Sequence, residues 1–170
     1  IMDFGAVQCT PQSPNCLFCP LSGSCRALSE GKVQQLPVKQ HRTKTTNRYF
    51  NYIYVRMGAH TLIHKRTEDD IWKNLFELPL VETEKDLSEE EFLACPQFHA
   101  LFAEGEVRMV RTLLRGVKHV LSHRVIYTNF YEVTLPDNSS SFSSYQRVAV
   151  EDLDRYAVPR LIHAFLEKYV

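Results

Sequence analysis

Four thiols crowd into one short stretch, Cys9, Cys16, Cys19 and Cys25, with six, two and five residues between them. Thiolates are soft ligands, so a set of four at close spacing points to metal chemistry. A structural zinc ion takes a tetrahedron of four sulfurs, usually from two short knuckles of the C-x2-C kind. Only Cys16 and Cys19 form such a knuckle. A cubane iron-sulfur cluster needs thiolates at its corners, set wider apart than the ligands of one ion, and a tight loop can wrap it. Pro11, Pro14 and Pro20 stiffen this loop. Spacing alone leaves zinc and cluster both open. The fifth cysteine, Cys95, stands alone and reads as a small apolar residue. An odd count with four crowded together fits a disulfide framework poorly and suits a reducing compartment.

A second constellation is electrostatic. Between Val107 and Tyr131 there is no acidic residue, while Arg108, Arg111, Arg115, Lys118, His119, His123 and Arg124 all fall there. The chain's 20 basic and 20 acidic residues cancel, so net charge supplies no general attraction to nucleic acid or membrane. A local patch of this kind can still bind phosphates by releasing counterions. The bland reading, a basic strand face pairing with the acidic residues at 82–91, is equally compatible with composition.

The elements that must position these groups can be read from pattern. With 170 residues, 44% of them hydrophobic, the chain can bury one full core with room for a small appendage. Residues 1–29 form the Cys-rich unit. Residues 30–47 are basic, polar and without apolar periodicity, which predicts a linker. Residues 48–170 carry the α+β domain. The aromatic and β-branched run Tyr49-Phe50-Asn51-Tyr52-Ile53-Tyr54-Val55-Arg56-Met57 predicts a strand. Gly58-Ala59-His60 can turn it back into Thr61-Leu62-Ile63-His64-Lys65-Arg66 as a hairpin. Ser88 followed by Glu91 is a capping-box signature that starts a short helix. Residues 109–117 and 124–133 alternate as strands, a serine-rich loop covers 139–144, and Pro159 opens a closing helix. No run approaches the roughly 18 apolar residues of a membrane helix, and no signal segment opens the chain. The expectation is a soluble cytoplasmic protein without a membrane partner. Ile1 is not an initiator Met, and the run to Val7 reads as the end of a helix, so a piece of a longer protein is expected.

The six-two-five spacing, the run Cys16-Leu17-Phe18-Cys19-Pro20-Leu21 and the preceding Met2-Asp3-Phe4-Gly5-Ala6 resemble the cluster loop of the endonuclease III and MutY superfamily of DNA glycosylases. That resemblance implies a 4Fe-4S cluster on Cys9, Cys16, Cys19 and Cys25, with zinc as the alternative. In the family the cluster staples a loop near the DNA backbone and does not catalyse base removal. The family often has basic residues between the first two cysteines; Thr10 to Asn15 has none.

The segment Lys118-His119-Val120-Leu121-Ser122-His123-Arg124 resembles the His-x-Phe-Ser-His loop of the MutY C-terminal domain. By resemblance, Lys118, His119, Leu121, Ser122, His123 and Arg124 would recognise DNA carrying 8-oxoguanine opposite adenine. Leu121 stands where the family has Phe. 8-Oxoguanine differs from guanine by an N7–H donor and an O8 acceptor, and a serine hydroxyl can meet one while a neighbouring N–H reaches the other.

Lys65-Arg66 with Trp72-Lys73-Asn74-Leu75-Phe76-Glu77-Leu78-Pro79 resembles a run of Nudix-like domains, with Asn74 where Gly is usual. The glutamates of a Nudix pyrophosphatase box are absent after Pro79; Glu82, Glu84, Glu89, Glu90 and Glu91 have other spacings. The resemblance therefore implies an α+β, Nudix-like domain with a mixed sheet and flanking helices, used for recognition. It implies the C-terminal part of a MutY-type adenine DNA glycosylase, monomeric and nucleoid-associated. The family's catalytic Glu and Asp precede the cluster loop, so no catalytic residue is assigned here and the chain alone is expected to be inactive. A Nudix pyrophosphatase and a zinc-stapled protein-interaction module are the competing readings.

Overall fold

Strand β1 (Thr46–Arg56) explains the architecture, because both of its faces and both of its edges are occupied. Successive side chains of a strand point to opposite faces. Phe50, Tyr52 and Tyr54 join one core cluster, and Ile53 and Val55 join the other. A strand buried on both sides reads as a near-continuous apolar run, and Phe50–Val55 does so but for buried Asn51.

The computed structural model describes residues 2–10, 12–36, 38 and 45–170. The chain divides into two compact units, Ile1–Lys44 and Thr45–Val170. Residues 37 and 39–44 of the expected linker lie outside the described residues, as do Ile1 and Pro11. In the first unit a short helix α1 (Met2–Val7) leads into 3-10 turns at Cys16–Phe18 and Ser22–Ser24, then α2 (Arg26–Ser29).

In the second unit β2 (His60–Lys65), β3 (Phe76–Glu77) and β4 (Leu80–Thr83) precede helices α3 (Glu89–Leu93) and α4 (Pro96–His99). The long strands β5 (Met109–Val120) and β6 (Arg124–Thr134) follow, then β7 (Gln146–Ala149), a 3-10 segment at Val150–Arg155 and α5 (Arg160–Tyr169). A four-stranded mixed sheet runs β4-β1-β6-β5, with β1 and β6 parallel and the other pairs antiparallel. A three-stranded sheet runs β3-β2-β7.

The expected hairpin of residues 49–66 does not form as such. The chain turns at Gly58, whose φ of 56° is one that glycine adopts freely, but β1 and β2 share a single bridge at Met57 and His60. The edges of β1 are taken by β4 and β6, so β2 turns away and pairs with β3 and β7. The capping box is present: the Ser88 hydroxyl accepts from the Glu91 amide at 3.1 Å, and the Ser88 amide donates to the Glu91 carboxylate at 2.8 Å.

Helix α5 covers one face of the four-stranded sheet through Leu161, Ile162 and Phe165; Phe92 of α3 and Phe98 of α4 pack on the other. Phe130 stacks on Phe165 at 4.1 Å and on Tyr52 at 5.6 Å. Cys95 is half-buried and packs against the Phe92 and Phe98 cluster. Truncating Phe130, which is fully buried, is expected to cost about 3–5 kcal/mol in urea unfolding of the Phe130→Ala chain. A loss well under 1 kcal/mol would place the core elsewhere.

Candidate nucleic-acid interface

The basic stretch folds into the β5–β6 hairpin, and its tip is the segment Leu121-Ser122-His123. The tip is closed by the Leu121 amide donating to the Arg124 carbonyl at 2.8 Å. It is tied to the sheet where the Thr46 amide donates to the His123 carbonyl at 3.1 Å. The backbone is thus fixed while the Ser122 and His123 side chains stand exposed, and neither makes a hydrogen bond among the described residues.

The six residues singled out by resemblance all lie at this tip, yet in different settings. Lys118 is exposed and has no ion pair among the described residues. The His119 ring packs on Trp72 at 5.8 Å. Leu121 turns inward and packs on the core cluster of Phe50 and Phe130. The exposed apolar side chain at the tip is Val120, at 65% exposure. The resemblance singled out Leu121 and not Val120; β5 reaches the tip through two register shifts, between Thr112 and Leu114 and between Leu114 and Val117, the second at Gly116 with φ 69°. A bulge adds a residue and reverses which face the following side chains take. The signal was available, since a glycine inside a strand pattern marks such a site.

Much of the basic patch is engaged within the protein. Arg111 pairs with Glu132 at 3.1 Å, and Arg115 donates to the Leu87 carbonyl at 2.6 Å. Arg124 pairs with Asp70, which also accepts from Arg48 at 2.5 Å and Arg66 at 3.1 Å. Burial alone would raise the Asp70 pKa, but the hydrogen bonds from Arg48 and Arg124 outweigh it and hold the carboxyl well below the usual range. The role of Asp70 is not visible in the sequence, where nothing in the acidic run Glu68-Asp69-Asp70 marks its distant partners.

Arg66 continues the chain of contacts inward, donating to both oxygens of Glu77 at 2.8 Å. Glu77 is 2% exposed and also accepts from the Tyr52 hydroxyl at 3.0 Å. His64 lies 3.3 Å from it, its pKa lowered chiefly by burial. An open pocket of about 300 Å³ beside this group is lined by His64, Arg66, Glu68, Glu77 and Tyr145.

In the first unit, Cys9, Cys16, Cys19 and Cys25 line one small hollow together with Pro14, Ser22 and Leu28. No disulfide links them. Among the described residues, no three His, Cys, Asp or Glu side chains close on one point where a single metal ion could be held.

A family model for the NUDIX domain matches residues 51–168. The chain belongs to the NUDIX domain family. Among curated proteins, this NUDIX chain is 36% identical over 83 residues to the adenine DNA glycosylase of Buchnera aphidicola subsp. Schizaphis graminum, covering 49% of this chain and 24% of that protein. It is 26% identical over 172 residues to the adenine DNA glycosylase of Buchnera aphidicola subsp. Acyrthosiphon pisum, covering 99% of this chain and 46% of that one. The chain spans less than half the length of either relative. The C-terminal domain of mouse MUTYH, solved in complex with human PCNA, has the same fold, with a TM-score of 0.55 and 15% identity over 72% of this chain and 86% of that one. These comparisons agree with the expected likeness to the C-terminal part of a MutY-type protein, and with the Nudix-like α+β class.

The Asp70 cluster sets a pH dependence. Because the folded-state pKa is depressed, the stabilisation is complete above the unfolded value near 4 and is lost as pH falls below it. Asp70→Asn is expected to cost about 1–3 kcal/mol at pH 7. In urea unfolding the gap between the two chains should shrink steadily as the pH is lowered from 5 towards 2; a gap independent of pH would show that Asp70 carries no such role.

Proposed function

We propose that this NUDIX domain reads 8-oxoguanine opposite adenine in duplex DNA, as part of an adenine DNA glycosylase of base excision repair. The observation that carries the reading is the exposed Ser122 and His123 pair on a fixed hairpin tip, in a chain whose curated relatives are adenine DNA glycosylases. A hydroxyl held on immobile backbone can accept from the N7–H of 8-oxoguanine, a donor that guanine lacks, and an imidazole beside it can donate to O8. Exposed Val120 offers an apolar contact to a base step, and exposed Lys118 a phosphate contact that positions the tip without reading sequence. In such an enzyme the adenine leaves its mispair by flipping into a separate pocket, and hydrolysis of its N-glycosidic bond falls to residues outside this hairpin. The protein is proposed to act as a monomer, cytoplasmic and associated with the nucleoid.

The first unit fits the role of a cluster loop. The four thiols line one hollow, and four thiolates on a tight loop are the ligand set a cubane cluster takes. Cys9, Cys16, Cys19 and Cys25 would hold a 4Fe-4S cluster there, whose ligation contributes folding free energy to residues 1–29. The pyrophosphatase reading finds less support, since the glutamates after Pro79 lack the spacing of that box and two of them are engaged elsewhere. Glu82 pairs with Arg48 and Glu91 caps α3.

In the full-length protein, Ser122→Ala combined with His123→Ala should lower the preference for 8-oxoguanine:adenine over guanine:adenine substrates by about 5- to 150-fold, the equivalent of about 1–3 kcal/mol. Single-turnover rates on the two duplexes measure it, and an unaltered ratio would sink the reading. Anaerobically purified protein is expected to be brown, to absorb near the visible range and to contain iron at about four atoms per chain. Zinc without iron would transfer the site to the competing interaction module.

A further inference from the structure

We propose that the loop of residues 66–75 is a brace for the reading tip, with Asp70 and Trp72 as positioning residues that set its geometry without touching DNA. The link to lesion preference rests on the function proposed above; the brace itself rests on the contacts. The strand entering the tip is held at His119 by the Trp72 ring, 5.8 Å away and tilted by 58°. The strand leaving it is held at Arg124 by the Asp70 carboxylate. These two residues flank the tip on either side, so a single loop grips both arms of the hairpin.

The loop in turn is anchored where the protein is least able to move. Trp72 meets the buried Phe50 ring edge-on at 6.1 Å. Arg66 donates from Nε to the Ile71 carbonyl at 3.0 Å, from Nη2 to Asp70 and from Nη1 to buried Glu77. Its backbone closes the loop, accepting from Asn74 at 2.8 Å and donating to Leu75 at 2.9 Å. The path from the core to the tip therefore runs Glu77, Arg66, Asp70, Arg124, in contacts of hydrogen-bond length.

Backbone conformation points the same way. Trp72 and Asn74 both adopt positive φ, 59° and 69°. For a bulky residue such as tryptophan this is a strained conformation, which persists only where the surroundings over-determine it. A loop that served merely to connect β2 with β3 would relax that strain. Here the conformation delivers the Trp72 ring to His119, while Asp70 faces three guanidinium groups, those of Arg48, Arg66 and Arg124. A recognition pair works only when held within a fraction of an ångström, which is the task of supporting residues that lock its backbone.

The test has two arms. In the first, amide hydrogen exchange is followed on the full 170-residue chain carrying Asp70→Asn, Trp72→Phe or Trp72→Ala. Loss of protection is expected at the Leu121 amide beyond the fall shown by the amides of Val55 and Phe130, which report global stability in the central strands, with Trp72→Phe losing less than Trp72→Ala. Protection retained at Leu121, or lost equally at all three amides in Asp70→Asn and Trp72→Phe, would overturn the brace. In the second, the same variants in the full-length protein should lower the 8-oxoguanine:adenine to guanine:adenine rate ratio by about 2- to 30-fold, with Trp72→Phe retaining most of it. If Ser122→Ala with His123→Ala lowers the ratio and the brace variants do not, the inference is wrong while the lesion-reading function stands. If the tip variant leaves the ratio unaltered, that function fails, and the exchange arm alone decides whether the loop braces the hairpin.

Discussion

The buried carboxylate of Glu77 is the interaction on which the arrangement depends. Taking a carboxylate out of water costs several kcal/mol unless charged and hydrogen-bonding partners replace the solvent. Arg66, the Tyr52 hydroxyl and His64 surround it. Those partners come from β1 and from β2 with the residue that follows it, so one charge ties two further segments of chain to β3. Burial first, and then the Glu77 charge, raise the Tyr52 pKa well above its ordinary value, which keeps its hydroxyl a donor. With Glu77 satisfied, Arg66 is held in place, its remaining nitrogens aimed at Ile71 and Asp70. The loop that reaches the β5–β6 hairpin tip is an outward extension of this core pair.

Legibility in the sequence divided along a physical line. Features set by neighbours in the chain were readable: the Ser88 capping box, the strand runs at 49–57 and 124–133, and the amphipathic α5 opening after Pro159. Features set by partners far along the chain were not. A Gly58 turn says that the chain changes direction, but not that β4 and β6 already occupy both edges of β1. Asp70 lies 54 residues from Arg124 and 22 from Arg48, and nothing local distinguishes it from solvated Asp69. The candidate tip was found by motif, whereas the inward turn of Leu121 and the exposure of Val120 follow two register shifts in β5, between Thr112 and Leu114 and between Leu114 and Val117.

Asn74 shows how a departure from a family pattern can preserve its physics. The position adopts φ 69°, where glycine is unstrained and asparagine is among the better tolerated of the other residues. The glutamates beyond Pro79 are a departure of another kind. Val81 and Glu82 lie on β4 paired with β1, and the acidic residues further on start a capped helix. The Glu82 carboxylate is directed at Arg48, and that of Glu91 at Lys85 and the Ser88 amide. The NUDIX scaffold is kept, while the charges that would gather cations serve to hold strands and helix ends.

The electrostatics of the interface follow from where its cations are already committed. Arg111, Arg115 and Arg124 each have an internal acceptor, so releasing them to phosphates would strip Glu132 and the Leu87 carbonyl of these partners and leave Asp70 with Arg48 and Arg66 alone. The charge available at the tip is then small, chiefly that of Lys118, in a chain whose net charge is zero. Counterion release scales with the number of phosphates neutralised, so this unit contributes little non-specific affinity by that route. What it can contribute is shape: exposed Val120, Ser122 and His123 held on a backbone tied to β1 and gripped from both sides. In the function proposed above, weak general attraction and a rigid tip would favour discrimination between bases without trapping on undamaged DNA, because affinity that is equal for every sequence cannot favour one of them.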